Sequence, residues 1–203
     1  MVITDGMNPA ERAVKRAFDF IFALLGLIVL APVFLVVYIL LRRQADGPVI
    51  FRQERIGYRG RPFQILKFRT MVMDSEDEGV PQLAQKGDDR LTPVGRFLRE
   101  HHLDELPQLW NVLCGEMSFV GPRPERKYFI DQIMKYNPDY EYIYLMRPGT
   151  TSLATIYNGY TYTMDKMLIR LQMDLDYLQK RSLLLDIKIM LTTAEYILFG
   201  KKF

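Results

Sequence analysis

The sequence has a single cysteine, Cys114, so an intrachain disulfide framework and an all-cysteine zinc site are both excluded. Histidine is nearly absent. The only two, His101 and His102, are adjacent, and neighbours on a helix do not face one metal, which leaves a zinc reading weak. Net charge is also missing: 27 basic residues against 24 acidic leave +3, too little to point to nucleic acid. There is no GxxxxGKS or GxxxxGKT, no GxGxxG and no GxSxG, so P-loop kinase, Rossmann enzyme and α/β-hydrolase readings lack support. Disorder as the main state is excluded too, because 49% of the residues are apolar and only 25% are charged.

The 203 residues suffice for one domain of ordinary size, alone or with a small appendage. A mean hydropathy of −0.05 hides an uneven distribution. Residues 20–41, FIFALLGLIVLAPVFLVVYILL, carry no charge. As one helix they would extend about 33 Å, against a hydrocarbon core of about 30 Å. The run is too long for a secretory h-region, and Arg42 and Arg43 follow it where a cleavage site would stand. Two membrane arrangements remain open on these residues alone. A spanning helix fits the length. A re-entrant hairpin fits the central Pro32, which disfavours helix at Ala31, and the cations on both flanks: Arg12, Lys15 and Arg16 before, Arg42 and Arg43 after. In either arrangement the rest of the chain is expected on the cytoplasmic side.

Beyond the run, residues 49–56 and 62–70 read as a β-hairpin closed by GYRGR, and residues 74–90 as a polar loop. Thr92-Pro93 starts a helix to about Glu100. Asp104 stands where an N-cap belongs, ahead of Leu106, Leu109, Trp110 and Leu113 at helical spacing, with Gly115 as the stop. Residues 121–125, GPRPE, read as an extended, stiff link. Three amphipathic helices follow, around Phe129 to Met134, Met164 to Leu178 and Leu184 to Leu198. Most of their apolar faces are expected in the core, with the last helix the best candidate for a membrane interface. The fold class is thus α+β, predominantly helical.

Functional residue types concentrate in residues 101–125. Asp104 and Glu105 are adjacent carboxylates. An N-cap aspartate and a first-turn glutamate need no function beyond the helix, yet a helix start also keeps a carboxylate ionised for nucleophilic attack or a hard cation. Two carboxylates without a thiolate cluster favour Mg²⁺ over Zn²⁺. Lys67 and Arg69 alternate on one face of a strand, Arg123 is held between two prolines, and Arg147 precedes Pro148-Gly149. Solvated surface charge explains each alone; with an acidic pair and a membrane segment they suit chemistry between a soluble phosphorylated molecule and a lipid phosphate.

At these residues the chain resembles the bacterial monotopic phosphoglycosyl transferases, over residues 12–199. The markers are KRAFDFIFALLGLIVLAPVF, FRQERIGYRGRPFQILKFRTM, LTPVGRFLREHHLDELPQLWNVLCGEMSFVGPRP and RPGTTSLA, in that order. The resemblance implies transfer of a sugar-1-phosphate from a UDP-sugar to polyprenyl phosphate, with release of UMP, through a covalent sugar-phosphate on the first acid of the pair. Here that nucleophile is Asp104, also the implied Mg²⁺ ligand, with Glu105 as its essential partner. The implied phosphate- or uridine-binding positions are Lys67, Arg69, Arg99, Arg123 and Arg147, and Asp174 matches a further acidic position. The resemblance also favours re-entry, broken at Ala31-Pro32. It divides the chain into a membrane segment, residues 12–43, and a catalytic domain, residues 44–203, on the cytoplasmic face of the bacterial inner membrane. A homodimer is one assembly it permits. Other readings are a metal-dependent phosphatase or pyrophosphatase acting on lipid phosphates, and a non-enzymatic scaffold in which Asp104 only caps. Ser152 and Thr155 depart from the family's loop pattern, which bears on sugar identity. The tyrosines of YNGYTYTM are expected mainly to pack.

Overall fold

The first helix begins on a reciprocal capping box. Asn8 Oδ1 accepts the Glu11 backbone N–H at 2.9 Å, Glu11 Oε2 accepts the Asn8 N–H at 3.0 Å, and Pro9 occupies a first-turn position that needs no N–H. Helix α1 runs Pro9–Val29 and α2 runs Ala31–Arg43. They belong to a computed structural model that describes residues 3–44, 47–73, 88–159, 161 and 163–199. Most of the expected loop over 74–90, and Tyr160 and Tyr162, lie outside the described residues.

The pair bends by 60°. The hinge is Leu30, one residue before the expected break: Ala31 and Pro32 are already the first two residues of α2, where the missing proline N–H leaves no hydrogen bond unmade. Neither helix alone is long and apolar enough to cross a membrane, and the bent pair passes that length and composition test only together.

The two halves of α1 do different work. Lys15 Nζ donates to the Val120 carbonyl at 3.0 Å and to Asp186 Oδ2 at 2.5 Å. Arg16 donates to the carbonyls of Val112 and Leu113 at 2.6 and 2.8 Å, and the Phe119 N–H donates to Asp19 at 3.1 Å. This half is bolted to the body by charge. Past Asp19 the helix changes character, and Ile21, Phe22, Leu25, Ile28 and Val29, then Leu35, Val36 and Ile39 of α2, are exposed.

Strands β1 (Ile50–Ile56) and β2 (Pro62–Phe68) form the expected antiparallel hairpin, in register from Ile50 opposite Phe68 to Ile56 opposite Pro62. Helix α3 (Pro93–Glu100) starts on the Thr92 cap, as the sequence predicts. A 3₁₀ turn, Leu103–Glu105, leads to α4 (Gln108–Cys114). A second, parallel pair was not foreseen: β3 (Ser118–Val120) with β4 (Gly149–Thr151), flanking the GPRP and RPG turns. These turns touch so closely that a Cβ on Gly149 would meet the Gly121 nitrogen at 2.1 Å.

Helices α5 (Lys127–Tyr136), α6 (Leu153–Asn158), α7 (Met164–Lys180) and α8 (Leu183–Leu198) complete the body. The largest core gathers Val120, Ile130, Ile133, Met146, Leu171, Leu178 and Ile189. A second core joins Val37 and Leu41 of α2 to Val49, Phe68 and Leu98, fixing the bent helix beside the hairpin. On α8, Ile189 is buried while Leu184, Ile187 and Leu191 are exposed, an apolar stripe on an outer face that also shows Lys188 and Glu195. The chain is mostly helical, with a small hairpin and a bent N-terminal helix pair.

Candidate active site

Asp104 is not the N-cap that its position in the sequence suggests. It lies inside the 3₁₀ turn, after His102 in the left-handed conformation at φ 55°, and α4 starts only at Gln108 behind Pro107, with no side-chain cap. The left-handed His102 reverses the chain sharply after α3, and such a conformation in a non-glycine residue persists only where surrounding packing enforces it. It turns the Asp104 side chain inward, where only 6% of the residue is exposed.

The two carboxylates stand in opposite electrostatic states. Lys67 Nζ donates to Glu105 Oε1 at 2.6 Å. Burial pushes the Glu105 carboxyl up, but the charges of Lys67 and Arg123 and the Lys67 hydrogen bond outweigh it and hold it at about 2. Asp104 accepts no hydrogen bond among the described residues. Burial raises its pKa, Lys67 and Arg99 oppose the rise and the neighbouring Glu105 charge adds to it; the net shift is upward. The helix-start argument for a readily ionised Asp104 therefore does not hold, because the turn gives it no backbone N–H.

Asn111 sets the distance between the strand carrying Lys67 and the turn carrying the acids. Its Oδ1 accepts the Leu66 N–H at 3.0 Å, and its Nδ2 donates to the Gln64 carbonyl at 2.8 Å and to Glu116 at 2.7 Å. Its signal in the sequence is a polar residue among the apolar positions of a helix, the mark of a buried polar tie.

Asp104 and Glu105 line a cavity of about 1220 Å³, together with Lys67, Arg69, Arg99 and Arg123. Arg69 is buried, and its Nη1 has no hydrogen-bond partner among the described residues. An unsatisfied buried guanidinium N–H is costly, and an anionic ligand would relieve it. Arg123 is exposed at the tip of the GPRP turn.

Two expected site residues stand elsewhere. Arg147 does not line the cavity: its Nε donates to the Gly115 carbonyl at 2.8 Å, its guanidinium lies 5.0 Å over the Tyr58 ring, and with Arg16 it closes the C-terminus of α4. Gly115, at φ 85°, is the left-handed stop of that helix. Asp174 does not line the cavity; it belongs to a buried cluster the sequence did not reveal, whose members Arg55, Glu125 and Arg170 do line it. Glu125 pairs with Arg170 at 2.8 Å and Arg55 at 3.5 Å, and Arg170 also donates to Thr161 at 2.7 Å. Burial pushes Asp174 up to about 7; Arg170 opposes this and Glu125 reinforces it. The i, i+4 spacing of Arg170 and Asp174 was the available hint.

Among the described residues, no three His, Cys, Asp or Glu side chains gather to hold a metal. An all-protein cage is thus not available there. Mg²⁺, however, commonly takes one or two carboxylates and completes its shell with water and substrate phosphate, and Asp104, buried and without a hydrogen bond among the described residues, fits that use.

The site is thus a buried acid in a cavity lined by cations, next to a second acid held ionised, on a helical body with an exposed apolar arm. The chain belongs to the bacterial sugar transferase family, whose model matches residues 10–200. It is 45% identical over 186 residues to the UDP-glucose:undecaprenyl-phosphate glucose-1-phosphate transferase of Caulobacter vibrioides, covering 91% of this chain and 69% of that protein. It is 39% identical over 193 residues to the UDP-N-acetylgalactosamine-undecaprenyl-phosphate N-acetylgalactosaminephosphotransferase of Aeromonas hydrophila, covering 95% and 45%. With the UDP-glucose:undecaprenyl-phosphate glucose-1-phosphate transferase of Escherichia coli K12 the identity is 40% over 190 residues, covering 93% and 41%. The chain thus spans less than half the length of the last two relatives.

Proposed function

We propose that this chain transfers a sugar-1-phosphate from a UDP-sugar to polyprenyl (undecaprenyl) phosphate and releases UMP, the first membrane step of bacterial glycan assembly. One observation carries the reading: Asp104 is buried and accepts no hydrogen bond among the described residues, beside a Glu105 held ionised by Lys67, in a cavity lined by Arg69, Arg99 and Arg123.

In this reading an Asp104 oxygen attacks the β-phosphorus of the UDP-sugar. The bond from that phosphorus to the bridging oxygen breaks, UMP leaves with the electron pair, and the sugar-phosphate remains as an acyl phosphate on Asp104. A phosphate oxygen of polyprenyl phosphate then attacks the same phosphorus and frees the Asp104 carboxylate. The products are UMP and a lipid-linked sugar diphosphate. Lys67, Arg99 and Arg123 offset charge on the phosphates, and Arg69 offers its open N–H to a phosphate oxygen. Mg²⁺ bound by Asp104 and the diphosphate would supply further charge neutralisation.

The exposed apolar faces of α1 beyond Asp19, of α2 and of α8 enter one leaflet and return, a monotopic, re-entrant attachment with the body on the cytoplasmic face. The 60° bend supports this, and so do Lys15 and Arg16 before the run and Arg42 and Arg43 after it, cations at both flanks. The test is UMP release from a panel of UDP-sugars with Mg²⁺, with and without undecaprenyl phosphate. Release that depends on the lipid is expected. Equal release without it would indicate a hydrolase.

A further inference from the structure

The cavity that holds the acidic pair is also lined by Thr150 and Thr151 of β4 and Thr193 of α8. Their hydrogen bonds fix which way the hydroxyls point. Thr193 Oγ1 lies 2.8 Å from the Ile189 carbonyl, which can only accept; with the Thr193 proton directed there, Thr151 is the donor in the 2.7 Å contact between the two hydroxyls. Thr150 Oγ1 donates to the Phe119 carbonyl at 3.0 Å. Both β4 hydroxyls have therefore spent their protons on the protein and offer lone pairs only. Such a wall accepts from O–H groups; an ionised phosphate, which offers only acceptors, gains nothing from it.

The wall is rigidly tied to the phosphate side of the cavity. The Gly121 N–H donates to the Thr151 carbonyl at 3.1 Å and the Gly149 N–H to the Pro122 carbonyl at 2.9 Å. Strand β4 is thus locked against the turn that carries Arg123, whose charge acts on Glu105. Met190, Ala194 and Ile197 of α8 add an apolar lining to the same cavity, the complement of the C–H face of a pyranose.

We propose that Thr151 reads a hydroxyl group of the sugar on the donor's β-phosphate, with Thr193 as the positioning residue that directs the Thr151 proton away from the ligand. The inference rests on the transfer reading of this cavity. The ribose of the nucleotide also carries hydroxyls, and the arms of the test separate the two.

The full chain and its Thr151→Val and Thr151→Ser variants are compared for kcat/KM on the preferred UDP-sugar, on its deoxy analogues, and for affinity for UDP. Thr151→Val should lose about tenfold on the preferred sugar, the loss of one hydrogen bond to substrate. It should lose nothing on the analogue lacking the recognised hydroxyl, and should keep its UDP affinity. Thr151→Ser should restore the preference. Weakened UDP binding and an equal loss on every UDP-sugar would assign the wall to the nucleotide and overturn the inference, as would an unchanged kcat/KM in Thr151→Val. If the native chain neither binds a UDP-sugar nor releases UMP, the transfer reading falls and takes this inference with it.

Discussion

Lys67 on strand β2 and Glu105 on the 3₁₀ turn are joined by a 2.6 Å ion pair, while Asp104, the next residue back, accepts no hydrogen bond among the described residues. The pair separates two adjacent acids into one that is held ionised and occupied and one that is left available. Lys67→Met should therefore release Glu105 and lower kcat by about 10- to 100-fold, the usual cost of deleting a charged hydrogen bond of about 1.5–3 kcal/mol. Lys67→Arg should recover part of the loss. Steady-state UMP release measures both.

Arg147 and Arg123 should part company. Arg147→Ala strips the Gly115 carbonyl of its donor and removes a cation from the Tyr58 ring. It should lower Tm by a few degrees, about 2–4 °C per kcal/mol for a chain of this size, and leave UDP affinity within about twofold. Arg123→Ala, at an exposed tip, should do the reverse. Thermal melts and UDP titrations of the two variants check this; a large loss of UDP affinity in Arg147→Ala would return that residue to the substrate.

Asp174 makes stability depend on pH in a stated direction. Its carboxyl is raised from 3.8 to about 7 in the fold, so the folded state holds a proton that the unfolded chain gives up. The resulting stabilisation is fully present below about 4 and is lost as pH rises through about 7. Asp174→Asn should flatten that slope, so the gap between variant and native Tm widens in the variant's favour from pH 5 to pH 8. A constant gap would contradict the assignment.

The bent arm should be what holds the chain to lipid. Val36 is exposed on α2, and an aspartate at membrane depth costs about 2.5–3.5 kcal/mol. Val36→Asp should weaken vesicle binding by about two orders of magnitude. Tyr136→Asp, at an exposed aromatic on α5, should not. Flotation with liposomes distinguishes them.

Local chemistry made much of this fold readable. The hairpin announced itself by Val, Ile and Phe around two glycines, and α3 by Thr92-Pro93. The break in the apolar run was readable within one residue, because proline rules act locally. The capping box at Asn8 and Glu11 is equally local, an asparagine followed three residues later by a glutamate. What stayed hidden was non-local. Three-residue strands such as Gly149–Thr151 carry no periodicity, and their pairing with Ser118–Val120 exists only because two glycine turns meet. The role of Arg147 depends on the end of α4, and the state of Asp104 on a left-handed His102. The residue types of the site were legible, but their partners were not.

Covalent capture of the sugar-phosphate by Asp104 is the step on which the proposed reaction turns. Intact-protein mass spectrometry after brief incubation with Mg²⁺ and the preferred UDP-sugar, without lipid acceptor, tests it directly. A mass increase of one sugar-phosphate on the native chain is predicted, discharged by undecaprenyl phosphate and missing in Asp104→Asn. An adduct that persists in Asp104→Asn, or a native chain that turns over without ever carrying one, would contradict it.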